Sequence, residues 1–393
     1  DLIRIAEAFL LQSHSLSYFA KTTQTNYDPS HLARLVIIAS DVSDLQNKFE
    51  SAKGLLTTNP KKSIVSKDIL YGYALDHGKI AFLFPGQSSA YLNMGAEIAM
   101  SFPQALKTWE RASEAPTHLK PSLHDVVFPP PTFSDVESKQ QQRLLEETRF
   151  SHAAIAATSL MYHQLLQDLN ILPDYVAGLG FGEFTALHAA GVIDNETLFL
   201  LTQKPKEIAG DINWSEPETS IFMNSTGKPY ASKTSFDFTL MGSERADQFQ
   251  EMIESMFQSG TRTFLEIGPH HLLSKLIKPQ LSDRPCQVMS INQWHEEALV
   301  SFWHTLASLF TLGLNPNFSV LWQGFADEME VDVPKSHVIP LNGANFGSLY
   351  PPKKDTHLKD QETKQIPAQS IMSETLTTKN HTNQRDQITM ENE

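Results

Sequence analysis

The chain of 393 residues is poor in cysteine. Cys286 is the only one, which excludes a disulfide within the chain and fits a reducing cytosol. It precedes a predicted strand at 287–291, and we expect its thiol to be buried. The sequence also lacks an apolar run of about 18 residues and a basic segment followed by a small-residue cleavage site. We therefore expect a soluble, cytoplasmic protein without a transmembrane or secretory segment.

Positive charge is scarce as well. The 31 lysines and arginines are outnumbered by 45 acidic residues, which gives a formal net charge of −14. This balance argues against nucleic-acid and anionic-membrane partners, since both bind basic surfaces. An apolar content of 40% suffices for a sizeable core, and the length favours two or three domains. The chain begins at Asp1 rather than at methionine, which indicates a fragment of something longer.

A glycine-rich turn stands between a predicted buried strand ending at residue 177 and a helix predicted over 183–191. Strand, sharp turn and helix in this order form a nucleophile elbow, which exposes one side chain at the edge of a sheet. The elbow pattern is Gly-x-Ser-x-Gly, but this chain has Gly178-Leu-Gly-Phe-Gly182. Glycine has no hydroxyl, so no acyl ester can form at Gly180.

The residues around this turn resemble the Gly-His-Ser-x-Gly-Glu signature of the acyltransferase domains of polyketide and fatty-acid synthases. Three more segments resemble motifs of that family in the same order: Gly86-Gln-Ser-Ser-Ala90 resembles Gly-Gln-Gly-x-Gln, Asn224-Ser-Thr-Gly227 resembles Ser-Asn-x-Thr-Gly, and residues 266–269 match Glu-Ile-Gly-Pro. Residues 78–87 and 340–346 look most like acyltransferases of polyunsaturated-fatty-acid synthases and related iterative polyketide synthases.

The resemblance implies an α/β fold with a hydrolase-like parallel sheet flanked by helices. The pattern of residues 1–78 predicts an apolar helix at 2–11, a β-branched strand at 33–39 and a helix capped by Ser40 or Asp41. Residues 1–78 resemble the small α/β linker between a ketosynthase and an acyltransferase, and 79–325 the acyltransferase domain itself. An apolar helical face over 295–314 is predicted to end at Gly313. We interpret the polar stretch at 203–220 as a deletion, because the family carries a ferredoxin-like subdomain of roughly a hundred residues there. Residues 326–393 form a linker or tail, predicted to be disordered from 353 on.

The family also implies a role for each residue of the elbow. Gly180 occupies the nucleophile position, and Gly178 and Gly182 shape the turn. The oxyanion hole is implied to consist of the backbone N–H groups of Gln87 and Phe181, where side-chain identity matters little.

Other parts of the family's machinery differ in this chain. Ser88 and Ala90 replace a glycine and a glutamine, which adds bulk and removes a polar group. The family's base is a histidine in an Ala-Phe-His-Ser segment, and that segment is absent. The arginine that holds a malonyl carboxylate is missing too. Lys204 and Lys206 stand in that stretch without the planar fork of arginine, and we interpret them as solvated loop lysines.

Several histidines are candidates for a site. His152 and Ala153 occupy the family's Gln-Pro positions, and His152 either faces the site or is structural. His188 lies two turns into the elbow helix and is interpreted as a surface or packing residue. We expect His270 and His271 at the start of a helix to face different directions, so no metal is predicted. No cofactor is predicted beyond acyl-CoA as the family's substrate.

Three functional hypotheses follow. The first is an acyltransferase region that no longer transfers acyl groups and either keeps a structural role in a synthase or is a remnant. The second is an active malonyl-CoA:acyl carrier protein transacylase, if the internal gap is an error of gene modelling and Gly180 is an error as well. The third is a non-catalytic module that docks acyl carrier protein. In each, the expected partners are acyl carrier protein and the other synthase domains.

Overall fold

The computed structural model describes residues 15–325, except 59, 67, 75, 116–118, 204–213, 231–245 and 294–295. The helix expected near the N-terminus, Lys204, Lys206, most of the interval that we interpret as a deletion, and the tail from 326 on therefore lie outside the described residues.

The first part of the described chain is a three-stranded antiparallel sheet with two helices. The strands are ordered β1-β3-β2. The elements are α1 (Leu16–Thr25), β1 (Ala33–Ile37), α2 (Val42–Thr58), β2 (Ile64–Val65) and β3 (Ile69–Tyr73). The predicted start of α2 is confirmed, because Asp41 Oδ1 accepts a hydrogen bond from the Asp44 N–H at 2.8 Å and so satisfies a first-turn donor.

A six-stranded sheet with the order β7-β6-β5-β4-β8-β9 forms the centre of the protein. Its strands are β4 (Lys79–Phe84), β5 (Tyr175–Gly178), β6 (Ser220–Met223), β7 (Lys228–Pro229), β8 (Thr261–Glu266) and β9 (Gln287–Ser290). All neighbours pair in parallel except β7, which pairs antiparallel with β6. The carboxyl ends of β5, β4 and β8 therefore share one edge, where ligands bind in open α/β sheets.

Helices cover both faces of this sheet. Successive residues of β4 point to opposite faces and are buried on both, so both faces need a covering layer. Phe82 and Phe84 belong to a large apolar core on one face, and Ala81 and Leu83 to a smaller core on the other. The helices are α3 (Ala96–Ser101), α4 (Pro103–Glu114), α5 (Leu123–Val127), α6 (Asp135–Glu146), α7 (Thr148–Asp168), α8 (Gly182–Ala189), α9 (Asn195–Gln203), α10 (Ala246–Gln258), α11 (Leu272–Gln280) and α12 (Ala298–Thr311). The predicted α/β class is confirmed. Among the described helices, none is long and apolar enough to cross a bilayer.

Helix α12 ends as the sequence predicts. Gly313 has φ of +109°, a left-handed conformation that glycine adopts freely. Its N–H donates to Phe310 O and the Leu314 N–H donates to Leu309 O, the pattern of a Schellman C-cap.

Arg34 connects the small sheet to this end of α12. The residue is 9% exposed, and its guanidinium donates to the carbonyl oxygens of Phe310, at 3.0 Å, and Leu314. It also donates to Asn315 Oδ1 at 2.7 Å. One side chain thus adds a second donor to Phe310 O, which also accepts from the Gly313 N–H, and bonds the Leu314 carbonyl just beyond the helix.

Two local expectations are wrong. Cys286 is only partly buried, because it lies before β9 at the margin of the smaller core. His270 and His271 do not face different directions: their rings stack with centroids 4.8 Å apart. The reason is that His270 lies before α11 and His271 is only its N-cap residue, so helical geometry does not separate them.

Candidate functional site

The elbow predicted from the sequence is present between β5 and α8. Gly180 has φ of +56°, in the left-handed region that disfavours residues with a Cβ. The turn is closed by hydrogen bonds from Gly182 N–H to Leu179 O at 2.9 Å and from Glu183 N–H to Gly180 O at 3.1 Å. Position 180 therefore has the backbone of a nucleophile elbow without a side chain.

Gly178 and Gly182, on either side of position 180, must be glycines because other backbone atoms lie where a Cβ would stand. A Cβ on Gly182 would lie 2.0 Å from the carbonyl oxygen of Phe84, and one on Gly178 would lie 2.0 Å from the carbonyl carbon of Gly182. Both distances are far below contact distance, and both obstacles are backbone atoms. The elbow thus packs directly against the end of β4.

The loops after β4 and β8 meet at the same edge of the sheet. A Cβ on Gly268, in the Glu-Ile-Gly-Pro segment, would lie 2.4 Å from Pro85 Cγ. Gln87 follows Pro85 and begins a short 3₁₀ turn, Gln87–Ser89. The family-like segments that are distant in sequence are therefore adjacent here.

The N–H groups assigned to the oxyanion hole lie at this edge of the sheet, that of Gln87 on the loop after β4 and that of Phe181 in the elbow after β5. In the part of the chain that the structure describes, neither the Gln87 N–H nor the Phe181 N–H is bonded to a backbone or side-chain acceptor. The side chain of Gln87 is exposed and its amide approaches Thr148 Oγ1 at 3.4 Å. Phe181 is 2% exposed, so its ring is part of the core behind the turn.

His152 lies beside the elbow, a placement that the sequence left open. Its ring stacks on that of Phe181, with centroids 4.3 Å apart and planes 12° apart. It donates a hydrogen bond to the backbone carbonyl of Thr202, while its Nδ1 is buried with no partner. Burial lowers the pKa of His152 to about 4, because a charged imidazolium loses its hydration there. The ring is therefore neutral at pH 7.

Two more histidines lie in the same layer of helices, His163 buried and His188 half-buried. His163 is 5% exposed, and its ring meets those of Phe82 and Phe84 edge-on. His188 Nδ1 is buried without a partner, which agrees with a packing role rather than a surface one. Burial lowers the pKa of each to about 4.

Two buried glutamates hold the site's loops, and the sequence did not reveal their contacts. Glu183, 1% exposed, accepts a hydrogen bond from the Ser225 N–H at 2.9 Å and so joins the elbow helix to the Asn224-Ser-Thr-Gly227 turn. Glu266 accepts from the N–H groups of Leu273 and Ser274 at 3.0 and 2.7 Å. Burial raises the pKa of Glu266 to about 7, although these N–H groups lower it. The available signal was a glutamate within each motif segment, directly after Gly182 in one case and two positions before Gly268 in the other.

Comparisons with known proteins agree with this architecture. No protein-family model matches the chain. A polyunsaturated fatty acid synthase component of Thraustochytrium sp. is 23% identical over 313 residues, covering 55% of this chain and 11% of that protein. Malonyl CoA-acyl carrier protein transacylase of Bacillus subtilis is 31% identical over 133 residues, covering 34% of this chain and 38% of that protein. The chain thus spans well under half the length of either relative.

A solved structure gives the same result at the level of fold. The acyltransferase domain from the second module of the salinomycin polyketide synthase is similar with a TM-score of 0.59 and 17% identity, covering 82% of this chain and 94% of that one. At this identity the likeness establishes the fold alone.

Proposed function

We propose that this chain, whose relatives and structural neighbours are acyltransferase domains of polyketide synthases and malonyl-CoA:acyl carrier protein transacylases, is an acyltransferase-like region that does not itself transfer acyl groups. It acts as a structural part of a fatty-acid or polyketide synthase. The observation that carries the proposal is Gly180, which holds the backbone of the elbow, at φ of +56°, with no nucleophile on it.

Acyl transfer from a thioester begins when a side-chain oxygen or sulfur attacks the carbonyl carbon and the thiolate leaves. At Gly180 there is no such atom. Another residue would have to reach the same point with the same alignment, and misplacement by about 1 Å already costs about 100-fold in rate. The loss at this single position therefore removes the covalent step.

A general base at the elbow is also unsupported. His152 is the histidine beside the turn, but its ring is stacked on Phe181 and bonded to the Thr202 carbonyl. With a pKa of about 4, it is a weak proton acceptor compared with a base poised near pH 7. The Ala-Phe-His-Ser segment of the family is absent from the whole sequence.

The proposed deletion is supported by the alignment with the Thraustochytrium protein. The alignment runs over 313 positions but covers 55% of the 393 residues of this chain, which is about 216 residues. About 97 of its positions therefore lie opposite no residue of this chain, the difference between 313 and 216. That is a domain's worth of chain.

The backbone donors of Gln87 and Phe181 are the part of the machinery that we propose to survive. Two N–H groups without acceptors can bind a carbonyl or carboxylate oxygen weakly, as oxyanion donors do when the nucleophile is removed. Binding without turnover is the expected behaviour.

Intact-mass spectrometry after incubation with malonyl-CoA tests the proposal. We expect no mass gain in the native chain, because the nucleophile and the base are both missing, and none in a Gly180→Ser variant, because the base is still missing. Gly54→Ser, on the exposed side of α2, is the matched control for added serine. A gain of one malonyl group in the native chain would refute the proposal, and a gain in Gly180→Ser alone would show that a base is still present.

A structural role predicts contact with the rest of a synthase. Purified acyl carrier protein and the adjoining ketosynthase should therefore be tested for binding by analytical ultracentrifugation. Association without acyl transfer agrees with a structural part. Absence of association with either would leave the chain without a role in such an assembly.

A further inference from the structure

A groove of about 100 Å³ lies at the edge strand β9, between α11 and α12. Strand β9 is three strands away from the elbow strand β5, a separation of about 14 Å at the usual strand spacing. The groove is therefore a different site from the elbow.

The rim of the groove is rich in nitrogen donors. Lys275 and Lys278 come from α11, His304 from α12 and Gln293 from the loop between β9 and α12. Lysines three residues apart lie on the same side of a helix, so both ammonium groups reach one groove. Among the described residues, no aspartate or glutamate lines it.

The positive charge of the two lysines is not balanced locally. None of the ion pairs among the described residues includes Lys275 or Lys278. An acidic group does contact the rim at His304: the Asp68 carboxylate is 3.7 Å from His304 Nε2 and also 3.1 Å from Lys48 Nζ.

The floor of the groove presents no backbone carbonyl oxygen, among those described below, that lacks a hydrogen-bond donor and would repel an anion. Its buried hydroxyl groups donate to backbone carbonyls: Ser274 to Met289 O at 3.1 Å and Thr305 to Ser290 O at 2.9 Å. Those carbonyl oxygens would otherwise repel a negative group, and each is already bonded to a donor. The field in the groove is therefore set by the rim.

We propose that this groove binds a phosphate group, either as inorganic phosphate or as a phosphate monoester. A tetrahedral oxyanion offers acceptors in several directions and up to two charges, which matches two ammonium groups and an amide on different sides. The small volume admits the phosphate and leaves any ester substituent outside. The proposal does not depend on the state of the elbow.

Isothermal titration of the full chain with sodium phosphate and with glycerol 3-phosphate tests this, against sodium chloride at the same ionic strength. We expect binding of at least one phosphate species that Lys275→Gln/Lys278→Gln weakens tenfold or more. Raising the salt concentration should weaken it too, because partly exposed charges are screened.

The matched control is Lys107→Gln/Lys139→Gln, which removes two exposed lysines elsewhere and should change the affinity less than twofold. Tighter binding of the ester or of free phosphate identifies the source of the ligand. No binding above the chloride control, or equal binding by the two double variants, would overturn the proposal. Circular dichroism melting of each variant separates loss of binding from loss of folding.

Discussion

At the scale of single residues, the elbow depends on the absence of Cβ atoms. Gly178 and Gly182 are each 2.0 Å from a backbone atom at the place where a Cβ would stand. Gly54, in the middle of α2, has no atom within 4 Å of that place. The same substitution therefore has opposite consequences at these sites.

We predict that Gly182→Ala destabilises the fold by more than about 3 kcal/mol, since neither Phe84 O nor the turn can move without breaking the elbow. Gly54→Ala should instead stabilise it by about 1 kcal/mol, because alanine is the better helix former. Urea unfolding of both variants measures the two changes. Equal midpoints for Gly182→Ala and the native chain would contradict the geometry described for the turn.

The tight turn of the elbow was predictable from the sequence, since its glycine pattern specifies a turn. The stacking of His152 on Phe181 was not, because it depends on how α7 approaches the elbow from 29 positions earlier in the chain. The same holds for Glu183 and the Ser225 N–H. Such contacts join separate elements and leave no local periodicity.

At the scale of elements, Arg34 joins β1 to the end of α12. Replacing it by methionine keeps an unbranched side chain and removes the donors, which leaves the Leu314 carbonyl without its side-chain donor and the Phe310 carbonyl with the Gly313 N–H alone. We predict a loss of about 2–4 kcal/mol of unfolding free energy, because four acceptors lose a charged donor at once.

The Arg34→Lys variant should recover only part of this loss, since an ammonium cannot donate in several fixed directions. Asn315→Ala removes the contact to Asn315 Oδ1 alone and serves as the control, with an expected cost of about 1 kcal/mol. Chemical denaturation measures all three variants. A cost for Arg34→Met no larger than that for Asn315→Ala would show that the helix carbonyls do not depend on the guanidinium.

The elements themselves were largely predictable. Strand β1, helix α2 and the C-terminal end of α12 appear where apolar spacing and capping residues indicate, and the family-like motifs gave the parallel sheet. The antiparallel strand β7 was not predicted, because Lys228–Pro229 is too short for a pattern. We expected Cys286 to be buried because free cysteines usually are. It is only partly buried, because it lies at the margin of a core.

At the scale of the whole molecule, one buried histidine and two half-buried ones couple stability to pH. His152, His163 and His188 each have a pKa lowered from 6.5 to about 4 by burial. Each contributes stability that is fully present above pH 6.5 and is lost as the pH falls toward 4. Glu266 acts in the opposite direction: with its pKa raised from 4.5 to about 7, its contribution is present below pH 4.5 and lost as the pH rises through 7.

We predict that the histidines prevail and that the unfolding free energy falls between pH 6.5 and pH 4. His163→Phe keeps the edge contacts with Phe82 and Phe84 but cannot be protonated. It should lessen this fall by an amount on the order of 3 kcal/mol, since one pKa unit corresponds to about 1.4 kcal/mol. Urea unfolding at several pH values gives the slopes.

The control is His31→Phe, since the side chain of His31 is 62% exposed and its replacement should leave the slope unchanged. If His163→Phe and the native chain lost stability in parallel over this range, His163 would not be the neutral buried group described here.

The left-handed backbone of Gly180 also bears on the history of the chain. A serine held at that φ is strained by roughly 1–2 kcal/mol, and an active enzyme tolerates this because the hydroxyl is needed. Under the function proposed above, a change from serine to glycine would relieve this strain and abolish the reaction in one step. A return to serine would then first lose stability and would gain no activity until a base was restored. Under that proposal, selection for a stable fold alone would work against recovery of the nucleophile.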